Sequence, residues 1–130
     1  MGDSWQIEHL PEAERDLKRF LKPFKGKSKE KYVLFYLSIL DGLKELGLHP
    51  NSAQEPLPGS VEIPAEVGLW KIRVNVPGLT GAVSRLRVLY LRMVAEKRIV
   101  VIAVYTHKDF KKRPPDRLLA KLINGTLGKN

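Results

Sequence analysis

Polar and apolar positions alternate most cleanly over residues 68–74, where Trp70, Ile72 and Val74 fall on one side of an extended chain and Lys71 and Arg73 on the other. Two further strand-like runs follow at 85–90 and 99–105, rich in β-branched and aromatic residues. Residues 99–104 are apolar without alternation, the pattern of a central strand covered on both faces. The stretch from Pro77-Gly78 to Gly81 joins the first two strands, and Ala95-Glu96-Lys97 closes a tight hairpin between the last two.

Upstream the period changes. Residues 5–9 alternate as a short first strand. Pro11 marks the start of a helix, with Glu12, Glu14 and Asp16 suited to its positive end and Ala13, Leu17, Phe20 and Leu21 at helical spacing. Pro23 ends it, and 25–31 reads as a basic connector. A longer helix carries Tyr32, Phe35, Tyr36, Ile39, Leu43 and Leu46, widened by Val33, Leu37 and Leu40 and capped by Gly47. Four prolines between 49 and 66 predict a connector without regular structure. Leu118, Leu119, Leu122 and Ile123 predict a short terminal helix.

The predicted order is β-α-α-β-β-β-α in one domain spanning 1–130. This is an α+β fold, an antiparallel sheet with the two N-terminal helices on one face. Trp70, Ile72, Leu17, Phe20, Phe35, Ile39 and Leu43 are the expected core.

Charge sharpens this picture. The 130 residues carry a net charge of +9. Residues 1–66 hold 9 Lys/Arg against 11 Asp/Glu, whereas residues 67–130 hold 14 against 3. The sheet half is therefore strongly basic, which points to a polyanionic partner, nucleic acid first. With no cysteine there is no disulfide framework and no cysteine-based zinc site. His9, His49 and His107 lack metal-ligand spacing, no glycine loop of the phosphate-binding type is present, and no cofactor is expected. No apolar run reaches membrane-helix length and no basic-then-apolar leader opens the chain, so a cytoplasmic protein without membrane contact is expected.

The run 68–73 (Gly-Leu-Trp-Lys-Ile-Arg), then Arg87-Val88-Leu89-Tyr90, then the apolar strand leading into Phe110-Lys111-Lys112 and a following proline resemble the RelE/ParE superfamily of toxins from type II toxin–antitoxin pairs, most of all its HigB, phage-derived branch. Thr106-His107-Lys108-Asp109 stands before Phe110 where many relatives have a simple His-Gly. The resemblance implies a RelE-like fold and a ribosome-dependent endonuclease that cuts messenger RNA by attack of a ribose 2′-hydroxyl on the adjacent phosphate. The runner-up it admits is a ParE-like gyrase poison without enzymatic activity, and after that a binding member that has lost toxicity; the dense cations of the last strands and the Phe110-Lys111-Lys112 end favour the endonuclease. Its partners would be a cognate antitoxin, the ribosome and its messenger RNA, with a homodimer as a further assembly.

Under that resemblance the catalytic candidates are Arg87, Arg73, Lys71 and His107. The guanidinium fork of Arg73 and Arg87 matches phosphate oxygens and stays charged. Lys71 shares the face of Arg73, and like charges beside it lower its pKa. His107 is the proton-transfer candidate, with Tyr105 as its competitor. Lys108, Lys111, Lys112, Arg113 and Arg85 are the expected RNA contacts.

Overall fold

The computed structural model describes residues 4–59 and 61–128. Five strands, β1 (Gln6–His9), β2 (Ser52–Gln54), β3 (Val67–Asn75), β4 (Arg85–Met93) and β5 (Arg98–Tyr105), form one sheet in the order β1-β5-β4-β3-β2. Helices α1 (Pro11–Leu21) and α2 (Lys27–Leu46) lie on one face, and α3 (Asp116–Thr126) lies on the other. The architecture is α+β, as the periodicities predict. Each sheet face has its own core. Ile72, Val74, Val88, Tyr90, Ile99 and Val101 pack under α1 and α2. Leu69, Leu89, Leu91, Val100 and Ile102 pack under α3 and the proline-rich segment. Strands β4 and β5 are consequently buried on both sides, which explains the unbroken apolar run of β5.

Several expectations change. The sheet is not wholly antiparallel, because β1 pairs with β5 in parallel, Gln6 opposite Arg98 and His9 opposite Val101. This edge is pinned by Arg98, whose Nε and Nη2 donate to the two Glu8 carboxylate oxygens at 2.7 and 2.9 Å. Past His9 the edge of β5 has no strand neighbour, and the Asp16 carboxylate on α1 accepts the Val104 N–H instead, at 3.0 Å. The proline-rich connector does contain a strand: β2 pairs Ser52–Gln54 with Ile72–Trp70 ahead of the prolines at 56 and 58. Helix α2 takes in residues 27–31 of the expected basic connector, because Gly26 at φ +58° turns the chain and its carbonyl accepts the Glu30 N–H.

Of the expected core, Ile72, Ile39 and Leu43 are buried, while Trp70, Leu17, Phe20 and Phe35 are half-buried at its margin. Leu37 and Leu46 do not widen the buried face. They are 46% and 71% exposed, off the stripe of Tyr32, Tyr36, Ile39 and Leu43 that α2 buries.

Gly47 ends α2 at φ +70°, its N–H bonded to the Leu43 carbonyl. Its carbonyl accepts from Arg92 Nε at 2.9 Å, and that guanidinium stacks 4.7 Å from the centre of the Trp5 ring. A Cβ here would stand 2.5 Å from the ring. Gly47→Ala is therefore expected to cost about 2 kcal/mol or more in urea denaturation, from left-handed strain plus overpacking. Gly26, at φ +58° and ψ −130°, sits in a region nearly closed to L residues, so Gly26→Ala is expected to cost about 1–3 kcal/mol although its Cβ would meet open space. A Gly47→Ala loss below about 1 kcal/mol would show that Trp5 can move aside.

Candidate functional site

The cations on the α3 face of the sheet gather at one end. Across the strands Arg73 stands opposite Arg87, and Arg87 opposite Tyr105. Cross-strand neighbours share a face, so these three side chains form a row. A register shift between β4 and β5 makes the row possible: Leu89 pairs with Ala103 but Tyr90 pairs with Val101, leaving Ile102 as the extra residue. Without that bulge Tyr105 would fall on the opposite face. Lys71, two residues before Arg73, lies next to the row on the same side.

A cleft of about 590 Å³ opens over this row. Lys71, Arg73, Arg87 and His107 line it, with Lys111 and Lys112 at its mouth. Among the described residues only two carboxylates border it, Glu55 and Asp116, and both are taken. Glu55 is 10% exposed and bridges two cations, with Lys71 Nζ at 3.3 Å and Arg113 Nη1 at 3.1 Å. Asp116 pairs with Arg113 Nη2 at 2.9 Å.

Arg87 has no such partner. The residue is 5% exposed, and its Nη1 is a buried donor without a hydrogen bond among the described residues. Burial, reinforced by Arg73 and Arg85, lowers its pKa, yet a guanidinium remains charged at any working pH. A buried cation with an unmet donor costs stability unless something anionic arrives. Burial also lowers the pKa of Lys71; Glu55 opposes that effect, and Arg73 and Arg87 add to it.

The segment after β5 forms the other wall. The Thr106 carbonyl accepts from the N–H groups of Asp109 and Phe110, and the Asp109 carboxylate accepts the Thr106 N–H at 3.0 Å. This closed turn presents His107 to the cleft, exposed. Arg87 above all, then Arg85 and Arg73, hold the His107 pKa below the ordinary 6.5, so its imidazole is neutral at neutral pH. The buried Tyr105 hydroxyl, its pKa pushed up to about 12 by burial, donates to the Lys112 carbonyl at 2.9 Å. Arg113 completes the wall by donating to the Pro56 carbonyl at 2.6 Å.

The structure thus brings Lys71, Arg73, Arg87, His107, Lys111, Lys112 and Arg113 to one cleft. Arg113 has its guanidinium engaged by Glu55, Pro56 and Asp116, so it ties the wall to the β2–β3 connector. Arg85 is exposed on the same side of β4, outside the cleft, and donates weakly to Asn75 at 3.4 Å. Lys108 faces a different hollow on the helix side. Glu55 was not foreseen from the sequence. The signal for it was Lys71: a lysine in a buried strand position requires a counter-charge, and the proline-rich segment supplies it. Among the described residues no three His, Asp or Glu side chains are placed to share a metal ion. No helix there is long and apolar enough to cross a membrane.

No protein-family model and no curated protein matches the chain. Solved structures similar to it in shape include these two. One is a chain of the archaeal RelE–RelB complex from Pyrococcus horikoshii OT3, with 13% identity and a TM-score of 0.46 over 78% of this chain and 93% of that one. The other is a metal-bound toxin from Helicobacter pylori, with 17% identity and a TM-score of 0.43 over 82% of this chain and 98% of that one.

Each buried cation is expected to cost stability wherever it lacks a counter-charge. Arg87→Met is expected to raise stability by about 1–3 kcal/mol, since it removes an unmet buried charge and keeps the volume. Glu55→Gln is expected to lower it by about 3 kcal/mol, because Lys71 is left buried and unpaired. Adding Lys71→Met to Glu55→Gln should recover part of that loss. Urea titrations of these three variants against the wild type check all three signs, and a destabilised Arg87→Met would mean that the guanidinium is already satisfied.

Proposed function

We propose that the protein is the toxin of a type II toxin–antitoxin pair, of the RelE/ParE superfamily, and that it cuts messenger RNA on the ribosome in the cytoplasm. The observation that carries this reading is the buried, unpartnered Nη1 of Arg87, set opposite Arg73 in a cleft whose carboxylates are already paired. Such a site calls for a phosphate. The order of the Trp70–Arg73, Arg87–Tyr90 and Phe110–Lys112 motifs supports the same family.

In this reading Arg87 and Arg73 receive the non-bridging oxygens of the scissile phosphate. Both sit on paired strands, so their donors are in place before charge develops in the transition state. Neutral His107 at the cleft wall takes the 2′-hydroxyl proton. The oxygen so formed attacks the phosphorus and closes a 2′,3′-cyclic phosphate, while the P–O bond to the 5′-oxygen of the next nucleotide breaks and that oxygen takes a proton from water in the open cleft. Lys71, held by Glu55, adds positive potential at the floor, and Lys111 and Lys112 meet flanking phosphates. Tyr105 acts indirectly by holding the Lys112 backbone. The charge of this face suits an acidic or amphipathic antitoxin segment that covers the cleft or displaces α3.

Arg87→Ala is expected to reduce cleavage in a translating extract, read by primer extension, about 10²- to 10³-fold with the fold intact by circular dichroism. Arg87→Lys should recover only part of the loss, because a point charge cannot reproduce the fork. If His107 is the base, activity falls as pH drops through its lowered pKa, and the wild-type acid limb lies below 6.5. His107→Gln should remove that limb. Intact messenger RNA together with inhibited DNA gyrase would transfer the protein to the gyrase-poison reading.

A further inference from the structure

The turn after β5 faces two hollows. His107 lines the cationic cleft, while Thr106, Lys108 and Asp109 line a second cavity of about 350 Å³ on the helix side of the same sheet end. Its walls are Phe20, Pro23 and Phe24 from α1 and the residues after it, and Leu79 and Val83 from the β3–β4 turn. The Phe20 and Phe24 rings meet edge to face, 5.8 Å between centres, and remain half-buried. Arg19 stands at the rim, its Nε on Asp109 at 3.2 Å and one Nη2 hydrogen on Asp16 at 3.0 Å, leaving other N–H groups free to donate. Lys108, exposed, is the second rim cation.

We propose that this second cavity is a nucleobase subsite, filled by a base of the strand whose phosphate lies on Arg87. The inference rests on the reading of the cleft as a phosphate site. Three features select a base over other occupants. The walls are aromatic and aliphatic, which suits a flat π-face of any base. The rim carries guanidinium donors beside a carboxylate, matching the mixed acceptors and donors of a base edge. The cavity also adjoins the phosphate cleft through one four-residue turn, so a single nucleotide chain crossing the sheet end can enter both. Its size falls within the range of small-ligand pockets. The same turn explains the divergence of neighbouring residues, with His107 serving the phosphate and Lys108 the base.

The test is an amide NMR titration of the full chain with adenosine 3′-monophosphate, ribose 5-phosphate and N-acetyl-leucinamide. The nucleotide is expected to shift Phe24, Leu79 and Val83 as well as Arg73 and Arg87, and to bind about tenfold more tightly than ribose 5-phosphate. Ribose 5-phosphate should move only the Arg73 and Arg87 set. Val83→Trp and Leu79→Trp, each filling the cavity, should make the two ligands bind equally while amide dispersion reports an intact fold. Equal binding to the wild-type protein, or nucleotide shifts confined to the cleft, would overturn the proposal. So would capture of the leucinamide in the cavity while the nucleotide is refused, which would make it a peptide dock. Nucleotide shifts in the cavity with none at Arg73 and Arg87 would uphold the base subsite and remove the phosphate reading of the cleft.

Discussion

Three cations side by side on adjacent strands repel one another, and this structure buries most of the surface of two of them. Lys71 and Arg87 are nearly buried and Arg73 stands between them in the lattice of β3 and β4. Among the described residues one carboxylate, Glu55, is brought in to offset them, and it serves Lys71 and Arg113. Arg87 is left with a donor unmet. A sheet can tolerate this because its other residues are packed so fully: β4 and β5 are apolar on both faces along most of their length. Natural chains that retain such an unfavourable group commonly do so at functional sites.

The remaining elements are arranged around that tension. Helix α3 and the proline-rich segment seal one end of the face with Leu119, Leu122, Ile123 and Val61, and leave the cationic end open. The bulge at Ile102 turns Tyr105 onto the cationic side, where its hydroxyl holds the backbone of the wall. Arg113 then joins that wall to Glu55, so the residue that neutralises Lys71 also fixes the width of the cleft. Stability and site geometry thus depend on one buried carboxylate.

Much of the fold was legible because its signals are local. The alternation of β3, the continuous apolar run of β5 and the helical spacing of Tyr32, Tyr36, Ile39 and Leu43 each specify an element without knowledge of its neighbours. What escaped depends on partners distant in sequence. Residues 52–54 become a strand only because Trp70, Lys71 and Ile72 offer a free edge. The parallel pairing of β1 depends on Arg98 reaching Glu8 across the sheet edge. Glu55 carries no motif, and Arg113 reads as one more cation in a basic run although its hydrogen bonds are spent internally. The candidates Arg73 and Arg87 were legible as charge on an alternating strand, but only the register shows them face to face.

Arg87, buried with an unmet donor, is the residue proposed to receive a tetrahedral oxyanion. The most direct measurement is a crystal structure of the protein soaked in tungstate, with the ion located by its anomalous scattering. The expected result is a tungstate bound in the cleft between Arg87 Nη1 and Arg73, displacing neither the Lys71–Glu55 nor the Arg113–Glu55 pair. An empty cleft, with Nη1 hydrogen-bonded to a protein carbonyl or carboxylate instead, would contradict it.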